Sequence, residues 1–328
     1  MKHITTTAFI VFLFITCSKE NTDNQASRTY QSDNAVALDT AKIPLNDLGP
    51  GTFRGNVGGL YPGGLNEPSG TYASDLLRAS KLIIPIDTFG NSKTKGFVVF
   101  ISLGGSTGGQ TMEALQTKTK GNPLTNPRLK LLRANTGAGI ASLNSVMNPN
   151  DVYWNHVTQI IKGGRSSYRQ VQVVYLETDD SVRIDGWPDR ANLTKNDLET
   201  TMRTLRFKFP NVKVLYVLGR TRSFGGKVGI NEPAPYYLGW SCKWAIEDQI
   251  NGVPGTEYKG SNPVAPMITW GFYEWADSLP RITDDFYWRL SETADGLHAN
   301  EAGLDTLSTR FQNFLLTDKY ASIWYANH

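Results

Sequence analysis

From residue 97 onward, short apolar runs alternate with segments of helical spacing. The apolar runs carry few polar residues on either face, which is typical of strands buried on both sides. Because helical segments separate these runs, the pattern predicts a parallel sheet with helices on both faces. The predicted strands are 97–103, 129–134, 171–176, 212–218 and 266–270.

The helical segments complete a layered α/β pattern. In the predicted helix 193–209, Thr194 is placed to cap the first turn and Pro210 ends the helix. The predicted fold is a single three-layer α/β/α domain with about five parallel strands, of the flavodoxin-like type. In open sheets of this type, ligands bind beyond the carboxyl ends of the strands. The predicted helices are 111–119, 151–162, 193–209, 236–250 and 300–314. The residues expected just after strands are Ser106, Gly139, Asp179, Arg220 and Trp270.

The first residues have the features of an export signal. Lys2 and His3 precede an apolar run at 8–15, which is too short to span a bilayer. The segment 1–17 resembles a bacterial lipoprotein signal, with Cys17 as the acylated first residue of the mature chain. An ordinary cleaved secretory signal is the alternative. Either signal predicts an exported protein, and a lipid on Cys17 would anchor it to the bacterial outer membrane, on the periplasmic or the cell-surface side.

A polar segment separates this signal from the folded part. Residues 18–47 are rich in Asn, Asp, Ser, Thr and Gln, a composition that predicts a flexible tether. The folded domain is predicted at 48–328. Its first part, 49–91, is dense in Gly and Pro, which predicts ordered loops with one short strand at 81–86.

Composition and charge exclude several classes of function. The net charge is +3 and the chain has no run of Lys or Arg, so no nucleic-acid partner is expected. The chain has no paired-histidine motif and 2 cysteines, so neither a metal nor another cofactor is expected. With Cys17 lipidated, Cys242 would have no intramolecular partner. Because Cys242 lies beside Trp240 and Trp244, it is expected to be a buried, inert thiol. The protein is expected to be a monomer.

Two distant motifs together indicate nucleophilic catalysis. A strand-like run ends in Gly104-Gly105-Ser106, and Asp295 lies three residues before His298, ahead of the last predicted helix. A serine becomes a nucleophile when an imidazole takes its proton and a carboxylate orients that imidazole. An Asp and a His three residues apart on one turn can make the second contact locally. The fold then has to bring Ser106 to the imidazole.

Few histidines are available as the base. His3 lies in the export signal and His328 is the last residue, so the base is His298 or His156. His156 has the position of a structural residue within a predicted helix. The histidines of the chain are His3, His156, His298 and His328.

The glycine-rich stretch around Ser106 fits other motifs as well. Residues 104–108 satisfy the G-x-S-x-G pattern of the α/β-hydrolase nucleophile elbow. That fold is excluded because the serine follows the first clear strand and because the acid and the base are three residues apart. A phosphate-binding loop is excluded because the stretch has no Lys. An incidental serine in a glycine-rich turn is the remaining alternative.

These motifs resemble those of the SGNH/GDSL hydrolase family across residues 50–320. Block I of that family is a strand that ends in Gly-Asp-Ser, and Gly104-Gly105-Ser106 corresponds to it with Gly in place of Asp. Block V is Asp-x-x-His before the last helix, and Asp295 and His298 correspond to it. Within the family, the segment 231–271 looks like a little-characterised branch of secreted bacterial proteins.

The resemblance also implies oxyanion and substrate-binding residues. Block II supplies an oxyanion glycine after the second strand, for which Gly139 is chosen over Gly137, and the Ser106 amide would be a further donor. Block III is Gly-x-Asn-Asp in the family, but Asp179 stands here in place of the donating Asn. An ionised Asp would repel an oxyanion, and the loss of one donor typically costs about 10²–10³ in kcat. Arg220 is expected either to donate a hydrogen bond to the oxyanion or to form an ion pair with Asp179 or Asp180.

The resemblance implies an exported serine esterase. Ser106 would attack the acyl carbon, His298 would take the serine proton, and Asp295 would fix the imidazole tautomer. The favoured substrate is an acylated carbohydrate, above all an O-acetylated polysaccharide, because of the export signal, the resemblance, and the aromatic residues from Trp270 onward, which suit sugar rings. Core packing is the alternative for each of these rings. One alternative is a lipase or thioesterase-like enzyme of the same fold. The other is a surface glycan-binding protein that has lost catalysis.

Overall fold

Strands and helices alternate along the structure, as the hydrophobic pattern predicts. The computed structural model describes residues 42–136, 142–179, 186–225 and 230–328. The strands are β1 (Thr52–Phe53), β2 (Asn56–Val57), β3 (Val98–Leu103), β4 (Leu129–Arg133), β5 (Val171–Leu176), β6 (Val214–Val217) and β7 (Met267–Trp270). The helices are α1 (Leu45–Leu48), α2 (Gly70–Lys81), α3 (Ser106–Thr119), α4 (Leu143–Met147), α5 (Tyr153–Gly163), α6 (Asp189–Lys208), α7 (Ala234–Ile250), α8 (Glu301–Thr317) and α9 (Ser322–Tyr325).

The strands β3 to β7 form one parallel sheet in the order β4-β3-β5-β6-β7. Alternate residues of β3 belong to different apolar clusters: Val98 and Phe100 lie on one face of the sheet, and Val99 and Ile101 on the other. The helices α2, α3, α8 and α9 cover the first face, and α4 to α7 cover the second. The predicted three-layer α/β/α fold with five parallel strands is therefore confirmed.

The strand order determines where a site can form. β3 lies between β4 and β5, and the helices that follow β3 and β4 pack on opposite faces of the sheet. A crevice therefore opens between the carboxyl ends of β3 and β5, where the direction of winding reverses. Ser106 follows β3 and Glu177 follows β5, so both residues lie at this crevice.

The five predicted strands from residue 97 onward are present, with ends shifted by at most two residues. Two helices begin four or five residues earlier than predicted: α3 begins at Ser106 rather than 111, and α6 at Asp189 rather than 193. Thr194 is therefore a buried residue inside α6, and its predicted role as the cap is wrong. The short helices α4 and α9 were not apparent in the sequence pattern.

The predicted strand at 81–86 is wrong. α2 extends to Lys81, and Ile86 forms isolated bridges to Ser92 and Phe97 rather than a strand of the sheet. The helical period of α2 is hard to see in the sequence because Gly- and Pro-rich loops flank a single short apolar stripe. The buried residues of α2 have the spacing of one helix face: Tyr72, Asp75, Leu76 and Ser80.

The folded domain begins before residue 48. Ile43 and Leu45 are buried, and the Tyr236 hydroxyl donates a hydrogen bond of 2.9 Å to the Ile43 carbonyl. The end of the predicted tether 18–47 therefore belongs to the domain, because these apolar side chains complete the core beside α7.

The predicted export signal cannot be placed on this structure, since segment 1–17 and Cys17 lie outside the described residues, as does the tether up to residue 41. Both remain predictions. Within the described ranges, no helix combines the length and the apolar content needed to cross a bilayer.

Asn300 caps the helix that follows the predicted Asp-x-x-His motif. Its side chain accepts a hydrogen bond of 3.1 Å from the Gly303 amide in the first turn of α8. We expect Asn300→Ala to lower the free energy of unfolding by about 1 kcal/mol, measured by urea denaturation, because this amide loses its acceptor. Asn300→Asp keeps an acceptor oxygen and is expected to lose less. Equal losses would instead assign the effect to the side-chain nitrogen, which donates to the Ser291 carbonyl.

Candidate active site

A tight turn places Ser106 at the carboxyl end of β3. Gly104 has a φ of +103°, a conformation that residues with side chains rarely adopt. A Cβ at this position would also lie 3.0 Å from the carbonyl oxygen of Glu177. Glycine is therefore required at 104, and the turn lets Ser106 begin α3 almost directly after the strand.

The side chain of Glu177 holds the first turn of α3. Its Oε2 accepts a hydrogen bond of 3.1 Å from the Gly108 amide, and its Oε1 accepts one from the Thr107 hydroxyl. A Cβ at Gly108 would lie 2.9 Å from the Cβ of Glu177. The glycines near Ser106 thus allow a helix to start in close contact with the end of β5, where the positive helix end favours a carboxylate. No motif in the sequence indicates this role of Glu177.

His298 contacts both Ser106 and Asp295. Its Nε2 lies 3.0 Å from the Ser106 Oγ, and its Nδ1 lies 2.8 Å from the Asp295 Oδ2. The Asp295 Oδ1 accepts hydrogen bonds from the amides of Leu297 and His298, at 3.0 and 2.7 Å. One carboxylate therefore holds the backbone turn and the imidazole ring together. The structure brings into contact the three residues that the sequence predicts as catalytic.

The charge of Asp295 determines which nitrogen of His298 carries the proton. Hydrogen bonds from the His298 ring and from the amides of His298 and Leu297 lower the pKa of Asp295 to about 2. An ionised carboxylate can only accept, so in a neutral imidazole Nδ1 carries the proton. Nε2 then faces the Ser106 hydroxyl as an acceptor, which is the tautomer that a general base requires.

The loop that carries Asp295 and His298 is fixed from two sides. The Ala294 amide donates a hydrogen bond of 2.8 Å to the His298 carbonyl, which closes the loop. The Phe224 amide donates another of 2.8 Å to the Gly296 carbonyl and joins the loop to the segment after β6. The imidazole is therefore positioned by the sheet edge as well as by its own turn.

The second candidate base, His156, is a residue of α5. Its ring packs against Tyr153, with centroids 6.4 Å apart, and its Nε2 has no hydrogen-bond partner among the described residues. The Tyr153 hydroxyl accepts a hydrogen bond of 3.2 Å from the Gly104 amide. α5 thus supports the turn before Ser106 through Tyr153, while His298 is the histidine in contact with the serine.

Asp179 lies between two buried arginines. Its Oδ1 accepts a hydrogen bond of 3.1 Å from Arg190 Nη2, and its Oδ2 accepts one from Arg220 Nη1. Burial by itself would lower the pKa of Arg220, but the charges of Asp179 and Glu177 outweigh burial and raise it. The expected ion pair of Arg220 is thus present. Asp179 and Arg220 belong to a mostly buried charge cluster, and the substrate-binding role predicted for both stays a prediction.

The Ser106 amide is the candidate oxyanion donor that the structure describes. It is the first amide of α3 and makes no hydrogen bond to any described residue. The positive end of the helix favours an anion at this point. Gly139, the predicted second donor, and its alternative Gly137 lie outside the described residues, so their role remains a prediction.

Trp270 does not lie at the rim of the site. It is 3% exposed, and its Nε1 donates a hydrogen bond of 2.8 Å to the Leu60 carbonyl. Tyr273 and Trp275 are buried as well and belong to the same core cluster as the aromatic residues of α7. The predicted sugar-binding role of Trp270 is therefore wrong, because the residues after β7 turn into the core rather than toward the crevice.

Cys242 has the properties expected of an inert thiol. It is buried, its Sγ lies 3.6 Å from the Thr178 hydroxyl, and burial raises its pKa to about 12.

Within the ranges that the structure describes, no three His, Cys, Asp or Glu side chains are grouped in a way that could hold a metal ion.

A further carboxyl group, Glu274, is buried beside Glu177 and Arg220. Burial and the charge of Glu177 raise the pKa of Glu274 well above its ordinary value, against the opposing effect of Arg220. Its Oε1 has no hydrogen-bond partner among the described residues. The uncharged form of Glu274 is therefore favoured, which keeps a third negative charge out of this cluster.

The stability of Glu274→Gln is expected to depend on pH differently from that of the wild type. The folded wild type keeps the Glu274 proton at pH values where the unfolded chain has lost it, so its stability falls as the pH rises above 4.5. Glutamine has the same shape and no proton to lose. Melting temperatures from about pH 5 to about pH 8 should therefore increasingly favour the variant. Glu113→Gln, on the surface, is the control, and parallel curves for Glu274→Gln and wild type would contradict an uncharged Glu274.

Comparison with known proteins assigns no family to this arrangement. No protein-family model matches the chain, and no curated protein matches it either. The functional conclusion therefore depends on the contacts among Ser106, His298 and Asp295 themselves.

Proposed function

We propose that this protein is a serine hydrolase that cleaves carboxylic esters. The observation that carries the proposal is the continuous line of contacts from Ser106 Oγ to His298 Nε2, at 3.0 Å, and from His298 Nδ1 to Asp295 Oδ2, at 2.8 Å. These contacts join a nucleophile, a base and an orienting carboxylate that come from distant parts of the chain. This constellation is recognised by geometry and roles on unrelated folds.

In the proposed reaction, Ser106 Oγ forms a bond to the acyl carbon while His298 Nε2 takes the hydroxyl proton. The tetrahedral intermediate collapses by breaking the ester C–O bond, and His298 returns the proton to the leaving alcohol. Water then attacks the acyl-serine with His298 again as base. The acid is released and Ser106 regains its proton.

The electrostatics around Ser106 support stabilisation of the oxyanion. The Ser106 amide points from the positive end of α3, and preorganised donors of this kind are a large part of catalysis in acyl transfer. The altered block III is a weaker objection than the sequence suggests, because Arg190 and Arg220 balance the charge of Asp179. The Gly139 amide would complete the oxyanion site if it follows the family pattern.

The polar surroundings of Ser106 favour an ester with a short acyl group. Among the described residues, the side chains in hydrogen-bond contact with the first turn of α3 and with the imidazole are charged or hydroxylic: Thr107, Glu177 and Asp295. A long acyl chain would need an apolar channel, which would support the lipase alternative. We therefore propose an O-acetylated or similarly acylated carbohydrate as the substrate class, met outside the cytoplasm by an exported, lipid-anchored protein. The buried position of Trp270 means that this substrate class has no support from an aromatic platform.

An activated serine should react with a fluorophosphonate probe. We expect a single adduct on Ser106 in the purified protein, located by mass spectrometry of the digested chain, and no adduct in Ser106→Ala. His298→Ala should lose labelling and hydrolysis of aryl acetates with little change in melting temperature, because the ring is part-exposed at the surface of the site. His156→Ala is the matched control and should keep both. Absence of any adduct in the wild type would contradict the hydrolase proposal and favour a glycan-binding protein without turnover.

The pH dependence of hydrolysis should follow His298 alone. Because the pKa of Asp295 is lowered to about 2, this carboxylate stays ionised through the acidic range in which an imidazole gains its proton. Activity is therefore expected to fall on acidification, because a histidine base must be neutral to take the serine proton. Asp295→Asn should lower kcat by about 10³–10⁴, because its amide group stabilises the wrong imidazole tautomer. A flat profile from about pH 5 to about pH 8 would exclude a histidine base.

A further inference from the structure

A cavity lies at the edge of the sheet opposite Ser106. It has a volume of about 200 Å³, and its wall includes Lys213 and Met267, where β6 and β7 begin. Ser106, in contrast, follows the carboxyl end of β3. Since the strands are parallel, the cavity and the candidate active site are separated by the length of the sheet. A ligand in this cavity would therefore not reach Ser106, and any function of the cavity would be separate from the serine chemistry.

Positive charge dominates the wall of this cavity. Its one carboxylate, Asp75, pairs with Arg78 at 2.9 Å and with Lys259 at 2.7 Å, and it accepts a hydrogen bond of 2.7 Å from Tyr258. Four cations and one carboxylate give the wall a net charge of +3, and Asp75 is shared by two of the cations. The cationic side chains of the wall are Arg78, Arg206, Lys213 and Lys259.

Arg206 and Lys213 are the two wall cations without a carboxylate partner among the described residues. Arg206 donates to the carbonyls of Pro210 and Pro263, and Lys213 Nζ makes no hydrogen bond or ion pair within the described part of the chain. Burial and the charge of Arg206 lower the pKa of Lys213. A half-buried cation beside another cation costs stability, and local costs of this kind are typical of functional sites.

The rest of the wall is apolar. An apolar cavity of about 150 Å³ is large enough to hold a benzene ring, so the cavity here can take a body of about one ring. Leu82 of this wall is 55% exposed, so the apolar surface is open to solvent on one side. The apolar residues of the wall are Ala79, Leu82, Val212, Pro263, Ala265, Pro266 and Met267.

We propose that this cavity binds a small organic phosphate monoester, with the phosphate between Lys213 and Arg206 and the organic group on the apolar wall. Near neutral pH a phosphate monoester carries about −1.5 to −2 charges and three acceptor oxygens. This charge matches the uncompensated cations better than a carboxylate does, and the planar guanidinium of Arg206 suits bidentate phosphate binding. The site is independent of the serine chemistry.

Calorimetric titration of the purified full-length chain tests the site, with phenyl phosphate, inorganic phosphate and phenol as probes. Phenyl phosphate is expected to bind more tightly than either of the other two, because it alone supplies both the charge and the ring. Lys213→Met should raise the Kd for phenyl phosphate about tenfold or more, since it removes a charge-assisted hydrogen bond. Lys81→Met removes the same charge from the exposed end of α2, outside the cavity wall, and should leave the Kd unchanged.

A stability measurement separates binding from folding. Without ligand, Lys213→Met is expected to keep or raise the melting temperature, because it removes a half-buried charge that has no partner among the described residues. Ser106→Ala should bind phenyl phosphate as the wild type does, so this proposal and the hydrolase proposal fail separately. Absence of phenyl phosphate binding to the wild type, or equal affinities for wild type and Lys213→Met, would overturn the site. Equal affinities for phenyl phosphate and inorganic phosphate would overturn the role of the apolar wall.

Discussion

The packing of the first turn of α3 on the end of β5 is the constraint on which the candidate site depends. Glu177 accepts hydrogen bonds from this turn and so fixes the helix start relative to the sheet. The contact leaves no room for a Cβ at Gly104 or Gly108 without a shift of Glu177. A larger residue at either position would displace the helix start and move the Ser106 hydroxyl away from His298. The glycine-rich start of α3 is thus a packing requirement with a catalytic consequence.

The buried carboxylate of Glu177 lies beneath Ser106, the proposed nucleophile, where its negative charge would oppose a developing oxyanion. Neighbouring side chains reduce this effect. Glu177 and Asp179 place two negative charges near the point where an oxyanion would develop. Arg190 and Arg220 balance these charges, and burial together with the charge of Glu177 raises the pKa of Glu274, which favours its uncharged form. The cluster is therefore close to neutral, and the positive end of the helix stays available to an anion that forms at the serine. Breaking any one of these pairs would leave a buried charge uncompensated, which is usually more costly than the pair itself is stabilising.

Local patterns predicted much of this molecule, and residues whose orientation depends on packing escaped prediction. β5 matches its prediction residue for residue because an apolar run buried on both faces has few alternatives. The contact between Asp295 and His298 was predictable from spacing, since both lie on one turn. The place of Trp270 at the end of a strand does not indicate whether its side chain points into the core or toward the crevice. Its packing with residues of α7 in the core determines the orientation. The contact of Arg220 with Glu177 likewise joins the ends of β6 and β5, and no spacing in the sequence indicates it.

Asp295 and His298 occupy one four-residue turn, whereas Ser106 is separated from His298 by 192 positions in the chain. The Asp295–His298 pair can therefore form as soon as its own loop does, but the serine meets the imidazole only when α3 lies against α8. A partly folded chain would keep the pair and expose an unactivated serine. The proposed hydrolytic activity would then arise late in folding, once α3 and α8 have docked, so the nascent chain would be inactive until its tertiary structure is complete.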